Sequence, residues 1–519
     1  MITRSCLALS RNSARPRLRW KARQYTTSNA SAPTPISPPS SFSMLGSVTS
    51  ELDKLSPRFE VKPSQIQILK SPSDFYETLK DKISKAEKRI YLSTLYIGKS
   101  ENELILTIRD ALRKNPELRV SILTDALRGT RETPKPCCAS LLVPLVDEFG
   151  ENRVEIRMFH TPNLTGLRKK VVPKRINEGW GLQHMKLYAI DDELIMSGAN
   201  LSTDYFTNRQ DRYHIFSSAA ITDYFERIHQ AVCKLSFSVL PSKEPSGYTM
   251  AWRDDNPGPS PLLDPKAFSA QATASLDSLL HLSTLAEKQP PTNSTLVYPL
   301  LQFTPLLRPD TSTELPAVRT ILSVLSTPAF SKSSWTFTAG YFNMTPEVRG
   351  LLLNSDPARA TVISASPWAN GFYGSKGVSG MLPAAYSLLS RRFLDAVLSK
   401  NLSSQITLKE WRRGTVDQPG GWTYHAKGLW ITMPNETAPS ISLVGSSNYT
   451  KRSYSLDLEA NVLILTRDQD LMMRLRDEEQ WLQEYARPID RDEFAKTERR
   501  VGLHVRVAMW LVTILGGAL

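Results

Sequence analysis

One short pattern occurs twice in this chain and limits what it can fold into more than any other feature. Each copy begins with a His-x-Lys tripeptide, continues into an apolar stretch and reaches a turn of small residues that ends in asparagine. An acidic residue lies 11 positions beyond each asparagine. The first copy comprises His184, Lys186, Asn200 and Asp211, and the second comprises His425, Lys427, Asn448 and Glu459. The order and spacing indicate an internal repeat.

The segments before each copy agree with this interpretation. Short β-rich runs alternate with helical segments, which is the pattern of an α/β fold. Tyr96 ends a predicted strand 88 residues before His184, and Tyr341 ends its counterpart 84 residues before His425. We therefore expect two homologous α/β halves that face each other and bring both histidines to one cleft.

Composition shifts divide the chain into six predicted segments. Proline-rich and apolar stretches mark the boundaries, because they interrupt the α/β alternation. In chain order these segments are a mitochondrial transit peptide (1–25), a disordered linker (26–58), the first half (59–240), a Pro-rich and helical connector (241–295), the second half (296–490) and an apolar C-terminal tail (491–519).

The distribution of charge supports the targeting prediction and narrows the class of partner. Residues 1–25 hold seven basic residues and no acidic one, which is typical of a mitochondrial presequence. Removing them leaves 57 basic against 51 acidic residues. A mature chain that is only mildly basic argues against a general nucleic-acid binder and fits a site for anionic substrates.

The repeated motif has the right chemistry for phosphoryl transfer. On a strand, side chains alternate faces, so the histidine and lysine of one H-x-K motif project the same way. Two such faces supply two imidazoles and two ammonium groups, and Asn200 and Asn448 add neutral donors to phosphate oxygens. One histidine would attack phosphorus while the other handles the proton. Asp211 and Glu459 would each accept a hydrogen bond from a histidine Nδ1 and leave Nε2 facing phosphorus.

These motifs resemble the phospholipase D superfamily. His184-Met185-Lys186 followed by Asp191 is a full H-x-K-x4-D motif, and His425-Ala426-Lys427 with the turn at 445–448 is similar to a second copy. Within the superfamily, residues 184–206 and 424–430 look most like the mitochondrial phosphatidylglycerophosphate synthases. The resemblance implies two α/β/α halves packed face to face around one active site. It adds Asp191 to the catalytic set and Ser446 to the phosphate-binding set.

Two positions depart from the family pattern. Thr432 stands where the second motif would have its aspartate, a position that is mainly structural in the superfamily. Ser197 and Gly198 are exchanged relative to the usual order of the first turn, which puts a hydroxyl role there in doubt.

The resemblance implies a reaction, a location and partners. CDP-diacylglycerol would donate its phosphatidyl group to sn-glycerol 3-phosphate, giving phosphatidylglycerophosphate and CMP through a phosphohistidine. The expected location is the matrix side of the inner mitochondrial membrane, whose surface the chain would contact. No metal or cofactor is expected, since the lysines supply the positive charge. No nucleic acid is expected either, since the mature chain is only mildly basic.

Several alternatives remain at this stage. We favour His184 as the nucleophile and His425 as the acid/base, and the reverse assignment is open. A phosphodiesterase of the same fold that hydrolyses cardiolipin or nucleic acid is the second hypothesis, and a non-catalytic lipid-binding scaffold is the third. Four basic residues near predicted strand ends are candidate substrate contacts, with ordinary solvated loops as the alternative: Arg128, Arg131, Lys451 and Arg452.

Overall fold

The computed structural model describes residues 41–174, 176–281 and 295–514. The predicted transit peptide lies outside these residues, as do residues 26–40 of the predicted linker, residues 282–294 of the connector and residues 515–519 of the tail.

The described residues form twenty β-strands. In chain order they are β1 Phe59–Val61, β2 Ile66–Leu69, β3 Arg89–Ser93, β4 Arg119–Asp125, β5 Val154–Phe159, β6 Leu187–Ile190, β7 Glu193–Ser197, β8 Arg209–Gln210, β9 Tyr213–Ser217, β10 Phe237–Pro241, β11 Tyr248–Ala251, β12 Thr295–Gln302, β13 Ser334–Ala339, β14 Arg359–Ala365, β15 Ile406–Trp411, β16 Thr423–Tyr424, β17 Lys427–Thr432, β18 Ile441–Gly445, β19 Glu459–Leu465 and β20 Ala486–Pro488.

Sixteen α-helices lie in the same described ranges, beside short 3-10 turns. They are α1 Ser41–Leu52, α2 Pro72–Ser84, α3 Asn102–Lys114, α4 Ala126–Gly129, α5 Cys138–Phe149, α6 Gly166–Val171, α7 Thr203–Thr207, α8 Ala219–Lys234, α9 Pro265–Leu280, α10 Glu314–Val324, α11 Pro346–Asn354, α12 Leu382–Ser399, α13 Lys451–Ser455, α14 Gln469–Leu482, α15 Arg491–Ala495 and α16 Leu503–Ile514.

The two large sheets share one strand order. The first runs β2-β9-β7-β6-β3-β4-β5-β10, and the second runs β12-β19-β18-β17-β13-β14-β15-β20. In each, three neighbouring strands are parallel (β3, β4 and β5, or β13, β14 and β15), and the strand that follows the H-x-K histidine pairs antiparallel with the first of them. Each sheet has one additional edge strand, β11 or β1. The predicted repeat and α/β fold are therefore confirmed.

Three apolar clusters explain how the layers stack. One lies between the first sheet and helices α2, α3 and α5, and a second lies between the second sheet and helices α1, α10, α11 and α12. The third joins inward-facing side chains of both sheets with helices α8, α9 and α14. Because each sheet is apolar on both faces, the halves share a buried middle layer.

The predicted linker is wrong for the segment that forms α1. Met44, Leu45, Val48 and Leu52 are at most 6% exposed and pack against the second half. Their spacing places them along one helical stripe, which burial in that cluster stabilises. Strand β1 also pairs with β12 of the second sheet, so the first half's own sheet begins at β2 rather than at residue 59.

The connector and the tail also carry regular structure. Strand β11 extends the first sheet beyond residue 240, and α9 packs in the middle layer. In the tail, α16 follows α15 and packs against α12 through Val505 and Met509. Among the described helices, none is long and apolar enough to cross a membrane.

Candidate active site

Both histidines lie where the two sheets meet. His184 lies three residues before β6, and His425 lies between β16 and β17. The backbone N–H of His184 donates to the carbonyl of Leu458 at 2.9 Å, and that of His425 donates to the carbonyl of Gln210 at 2.8 Å. Each carbonyl belongs to the residue just before an acid of the repeated pattern. Backbone pairing between the halves therefore holds the two motifs together.

Each histidine is oriented by the acid of the opposite half. His184 Nδ1 lies 2.9 Å from Glu459 Oε2, and His425 Nδ1 lies 2.7 Å from Asp211 Oδ2. An Nδ1–H that donates to a carboxylate fixes the tautomer and leaves Nε2 with its lone pair. Neither half contains a complete histidine–acid pair, so the site exists only when the halves are joined.

The two lysines lie beside the histidines in buried surroundings. Lys186 Nζ donates to the carbonyl of His184 at 2.7 Å, and Lys427 Nζ makes the same contact with His425. Lys427 Nζ is also 3.6 Å from Asp211 Oδ2. A Cβ added at Gly198 would lie 2.7 Å from both Lys427 Nζ and Asp211 Oδ1. Because the exchanged order of the first turn puts glycine at position 198, the turn leaves room for Lys427 of the second half.

Burial shapes the protonation of these groups. It lowers the pKa of both histidines well below the usual value, and the neighbouring lysine charge acts in the same direction. Burial also lowers the pKa of Lys186 to about 7 and raises the pKa of Glu459 to about 7. Neutral imidazoles are the form that can attack phosphorus. An anionic phosphate bound between the two lysines would favour the charged form of the lysines.

The environments of the two Nε2 atoms differ. Among the described residues His184 Nε2 has no hydrogen-bond partner, and the side chain is 12% exposed. His425 Nε2 lies 3.3 Å from the hydroxyl of Tyr205. This asymmetry suits an open nucleophile at His184 and a proton-handling group at His425.

A family model and sequence relatives can be compared with this geometry. Residues 79–232 match the model described as "Cardiolipin synthase, PLD-like domain". A Saccharomyces pastorianus relative named CDP-diacylglycerol–glycerol-3-phosphate 3-phosphatidyltransferase is 47% identical over 92% of this chain and 93% of its own length. The chain belongs to this phosphatidyltransferase family. A Gallus gallus relative of the same name, with the added word "mitochondrial", is 34% identical over 88% of this chain and 85% of its own length.

A solved structure has a similar fold. The crystal structure of phosphatidylserine synthase from Haemophilus influenzae Rd KW20 superposes with a TM-score of 0.67. It covers 91% of this chain and 97% of its own, at 20% identity. The phospholipase D-like assignment of the fold, with two halves around one site, is confirmed.

Three residues of the site were missed as functional candidates. Tyr205 contacts His425 Nε2 and accepts a hydrogen bond from Asn200 Nδ2 at 3.2 Å. Tyr341 meets the His425 ring edge-on at a centroid distance of 5.1 Å. Arg209 lies over the Tyr205 ring and donates to Thr423 across the halves. Tyr341 had a signal, since it ends the predicted strand equivalent to that of Tyr96, whereas Arg209 had none.

The phosphate-binding candidates occupy different settings. Asn448 Oδ1 is buried without a hydrogen-bond partner among the described residues, and Asn200 contacts Tyr205 as stated above. Ser446 differs, because its hydroxyl donates to Glu459 Oε2. The structure therefore gives Ser446 a positioning contact with the acid that orients His184, and its phosphate contact stays a prediction.

The structure contradicts a catalytic role for Asp191. This residue follows β6 at the end opposite His184, roughly 20 Å away along an extended strand. Its carboxylate accepts hydrogen bonds from the backbone N–H groups of Glu87, Lys88 and Arg89 at 2.7–3.1 Å. Asp191 thus joins β6 to the start of β3. Thr432 ends β17 at the corresponding place, so the missing aspartate of the second motif lies equally far from the chemistry.

We expect Asp191→Ala to reduce stability and leave the chemical step intact. The loss of a shared acceptor for three N–H groups should cost about 1–3 kcal/mol of unfolding free energy. Urea unfolding followed by tryptophan fluorescence measures that cost, and kcat per folded protein measures the chemistry. Asp192→Ala, an exposed neighbour, is the matched control. A large fall in kcat with unchanged stability would contradict the structural role.

The four candidate substrate contacts separate into two groups. Arg131 is paired with Glu178, and Arg452 is paired with Asp457 at 2.7 Å while also donating to the Glu178 carbonyl. These guanidinium groups hold the segment before the first motif, and their substrate role stays a prediction. Arg128 lies 4.1 Å over the ring of Tyr96, and Lys451 is exposed at the start of α13. For those two, substrate contact stays a prediction.

Metal-binding geometry is absent from the part of the chain that the structure describes. No group of three or more His, Cys, Asp or Glu side chains there could hold a metal ion.

Proposed function

We propose that this chain transfers the phosphatidyl group of CDP-diacylglycerol to sn-glycerol 3-phosphate, giving phosphatidylglycerophosphate and CMP. The observation that carries the proposal is the pair of crossed histidine–acid contacts, His184 with Glu459 and His425 with Asp211. The Saccharomyces pastorianus and Gallus gallus relatives have the name of this reaction, and the matches span 93% and 85% of their lengths.

In the first step, Nε2 of His184 attacks the phosphorus that bears the diacylglycerol ester. A P–N bond forms, the bond from that phosphorus to the oxygen of CMP breaks, and CMP leaves as a phosphate monoester. CMP is a good leaving group, so this step needs little acid assistance. Lys186 and Lys427 stabilise the negative charge on the non-bridging oxygens, with Asn200 and Asn448 as further donors.

In the second step, a hydroxyl oxygen of glycerol 3-phosphate attacks the same phosphorus. Nε2 of His425 takes the hydroxyl proton, the P–N bond to His184 breaks, and phosphatidylglycerophosphate is released. His425 then loses its proton to solvent. Asp211 supports this role because its carboxylate stabilises the imidazolium that forms.

The location and the membrane partner are part of the proposal. We place the chain on the matrix side of the inner mitochondrial membrane, since residues 1–25 have the composition of a presequence. The vertebrate relative's printed name, which contains the word "mitochondrial", supports the organelle. A membrane surface is the expected partner, because both the donor and the product are lipids.

An assay with labelled acceptor tests the proposed reaction. Purified chain would receive detergent-dispersed CDP-diacylglycerol and radiolabelled glycerol 3-phosphate, with CMP and labelled lipid both quantified. We expect labelled phosphatidylglycerophosphate and CMP in equal amounts. CMP release with unlabelled lipid would show that water is the acceptor. That result would support the alternative function, a phosphodiesterase that hydrolyses substrates such as cardiolipin. Retained fold without either product would support the non-catalytic scaffold.

A further inference from the structure

The last helix of the described chain leaves an apolar face without protein cover. In α16, Leu503, Val507, Trp510 and Leu511 are exposed, with Leu503 at 76% and Trp510 at 62%. Their spacing of four, three and one residues places them on one side of the helix. Val505 and Met509 lie on the other side and are buried against α12. The helix is thus held by the protein on one face and open on the opposite face.

A basic cavity adjoins the first turn of the same helix, where Arg506 lines it. Its volume is about 350 Å³, and it lies between α12, α15 and α16. Arg391, Arg500 and Arg506 line it, and no ion pair to these three occurs among the described residues. Arg499, by contrast, is bound to Glu410 and Glu493. Three guanidinium groups without carboxylate partners around one cavity favour a phosphate ligand, because arginine binds phosphate oxygens through paired N–H groups.

This corner of the molecule is connected to the active site by a short series of contacts. Tyr386 of α12 stacks on Tyr341 at a centroid distance of 5.6 Å, and Tyr341 meets the ring of His425. Ala385, the residue before Tyr386 in α12, packs in the same apolar cluster as Val505 of α16. The exposed helix therefore lies two side-chain layers from a catalytic histidine.

Exposed apolar side chains are concentrated around the edge of the sheets that carries the two histidines. Of the twelve large hydrophobic residues exposed in the described part of the chain, nine lie in α16, in the segment 373–378 before α12, or in the segment 167–176 around α6. The last two segments follow the carboxyl ends of β14 and β5, which is the edge that carries the histidines. Segment 167–176 also contains the exposed basic residues Arg168, Lys169 and Lys170. Apolar and basic residues in one zone are typical of a surface that enters a bilayer interface.

We propose that the exposed face of α16 and the cavity lined by Arg391, Arg500 and Arg506 form a docking site for a bilayer that contains anionic phospholipid. The apolar side chains enter the acyl boundary, and the arginines bind a headgroup phosphate. Docking there orients the active-site edge toward the membrane, so that a lipid substrate reaches His425 and His184 from the bilayer. The inference rests on the proposed function only in requiring that the substrate be a lipid.

Vesicle flotation of the full chain tests this site. One set of vesicles contains phosphatidylcholine alone, and the other contains phosphatidylcholine with about one third phosphatidylglycerol. We expect wild-type protein to float with the anionic vesicles and much less with the neutral ones. The double variant Trp510→Ser with Leu511→Ser and the double variant Arg391→Gln with Arg506→Gln should each lose about tenfold or more in partitioning. Leu263→Ser and Arg119→Gln, exposed residues elsewhere, are the matched controls and should float like wild type.

A second readout separates docking from chemistry. With CDP-diacylglycerol in detergent micelles, both docking variants should retain wild-type activity, because none of the four residues belongs to the catalytic set. Unchanged flotation of both variants, equal loss in the two controls, or equal wild-type binding to neutral vesicles would overturn the docking site. Inactivity of wild type in micelles with flotation as expected would instead contradict the proposed function and leave the docking site standing.

Discussion

Replacing His184 by alanine should lower kcat by at least about 10³-fold, which corresponds to about 4 kcal/mol of lost transition-state stabilisation. The substitution removes the only Nε2 in the described site that is free of a hydrogen-bond partner and oriented through Nδ1 by Glu459. His425→Ala should have an effect of similar size, because the acceptor hydroxyl then has no base oriented by Asp211. Steady-state formation of labelled phosphatidylglycerophosphate measures both effects.

His281→Ala is the matched control for these two variants. His281 is an exposed histidine at the end of α9, outside the site, and its replacement should leave kcat unchanged. Thermal unfolding midpoints near the wild-type value would show that the catalytic variants fold. If either His184→Ala or His425→Ala kept more than about a tenth of wild-type activity, less than about 1.4 kcal/mol would be involved and the two-histidine site would be wrong.

Replacing Arg212 by methionine should produce the largest loss of stability. Arg212 belongs to the first half, is fully buried, and pairs with Glu478 of α14 at 2.7 Å. It also donates to the carbonyl of Leu443 and lies 3.8 Å over the ring of Trp430. Removing it leaves a buried carboxylate without its main partner, which should cost about 3–5 kcal/mol. The shift in the urea unfolding midpoint measures the loss.

The pKa of Glu478 indicates the pH range in which the ion pair with Arg212 stabilises the folded protein. Arg212 and His214 overcome the effect of burial and lower the pKa of Glu478 from 4.5 to about 2. Because the folded pKa lies below the unfolded one, the stabilisation is fully present above about pH 4.5 and is lost as the pH falls towards 2. Acid unfolding of wild type should therefore steepen across that window, whereas Arg212→Met should already be destabilised at neutral pH.

Arg319→Met is the control for an ordinary ion pair. Arg319 pairs with Glu347 on the surface, where both side chains are at least 43% exposed. Solvent screening limits such a pair to at most about 1 kcal/mol. Equal losses in Arg212→Met and Arg319→Met would contradict the view that Arg212 holds the two halves together from the inside.

Much of the architecture was predictable because the sequence contains the active-site motif twice. The H-x-K pairs and their downstream residues have the same order in both halves, and the two sheets repeat one strand order as a result. Lys186 lies beside His184 as predicted, although both residues precede β6 and Lys186 Nζ contacts the backbone carbonyl of His184. The α/β fold and the residues that meet at the site therefore follow from local patterns.

The pairing of the acids across the halves could not be predicted. Asp211 and Glu459 lie at equal distances along each repeat, so their spacing is the same whether each orients its own histidine or the opposite one. The choice depends on how the sheets face each other, through the backbone contacts of Gln210 and Leu458. For the same reason the contact of Ser446 with Glu459 and the ion pairs of Arg131 and Arg452 were not visible in the sequence.

Two other differences have local causes. Asp191 belongs to the family motif, but a strand separates it from His184, so motif membership did not imply proximity. Helix α1 lies in a Ser- and Pro-rich region that is typical of linkers, and only the stripe formed by Met44, Val48 and Leu52 indicates a buried face. Its stability comes from packing on the second half rather than from helix propensity.

The central claim is that a phosphatidyl group is carried on His184 in a site shared by both halves. Rapid quenching after mixing with CDP-diacylglycerol labelled at the phosphatidyl phosphorus, without acceptor, tests it most directly. Wild type should show acid-labile label on the protein, and His425→Ala should accumulate it, because CMP leaves without help while the second step lacks its base. His184→Ala should show none. Label that persists in His184→Ala and disappears in His425→Ala would reverse the roles, and label in none of the proteins would contradict the covalent intermediate.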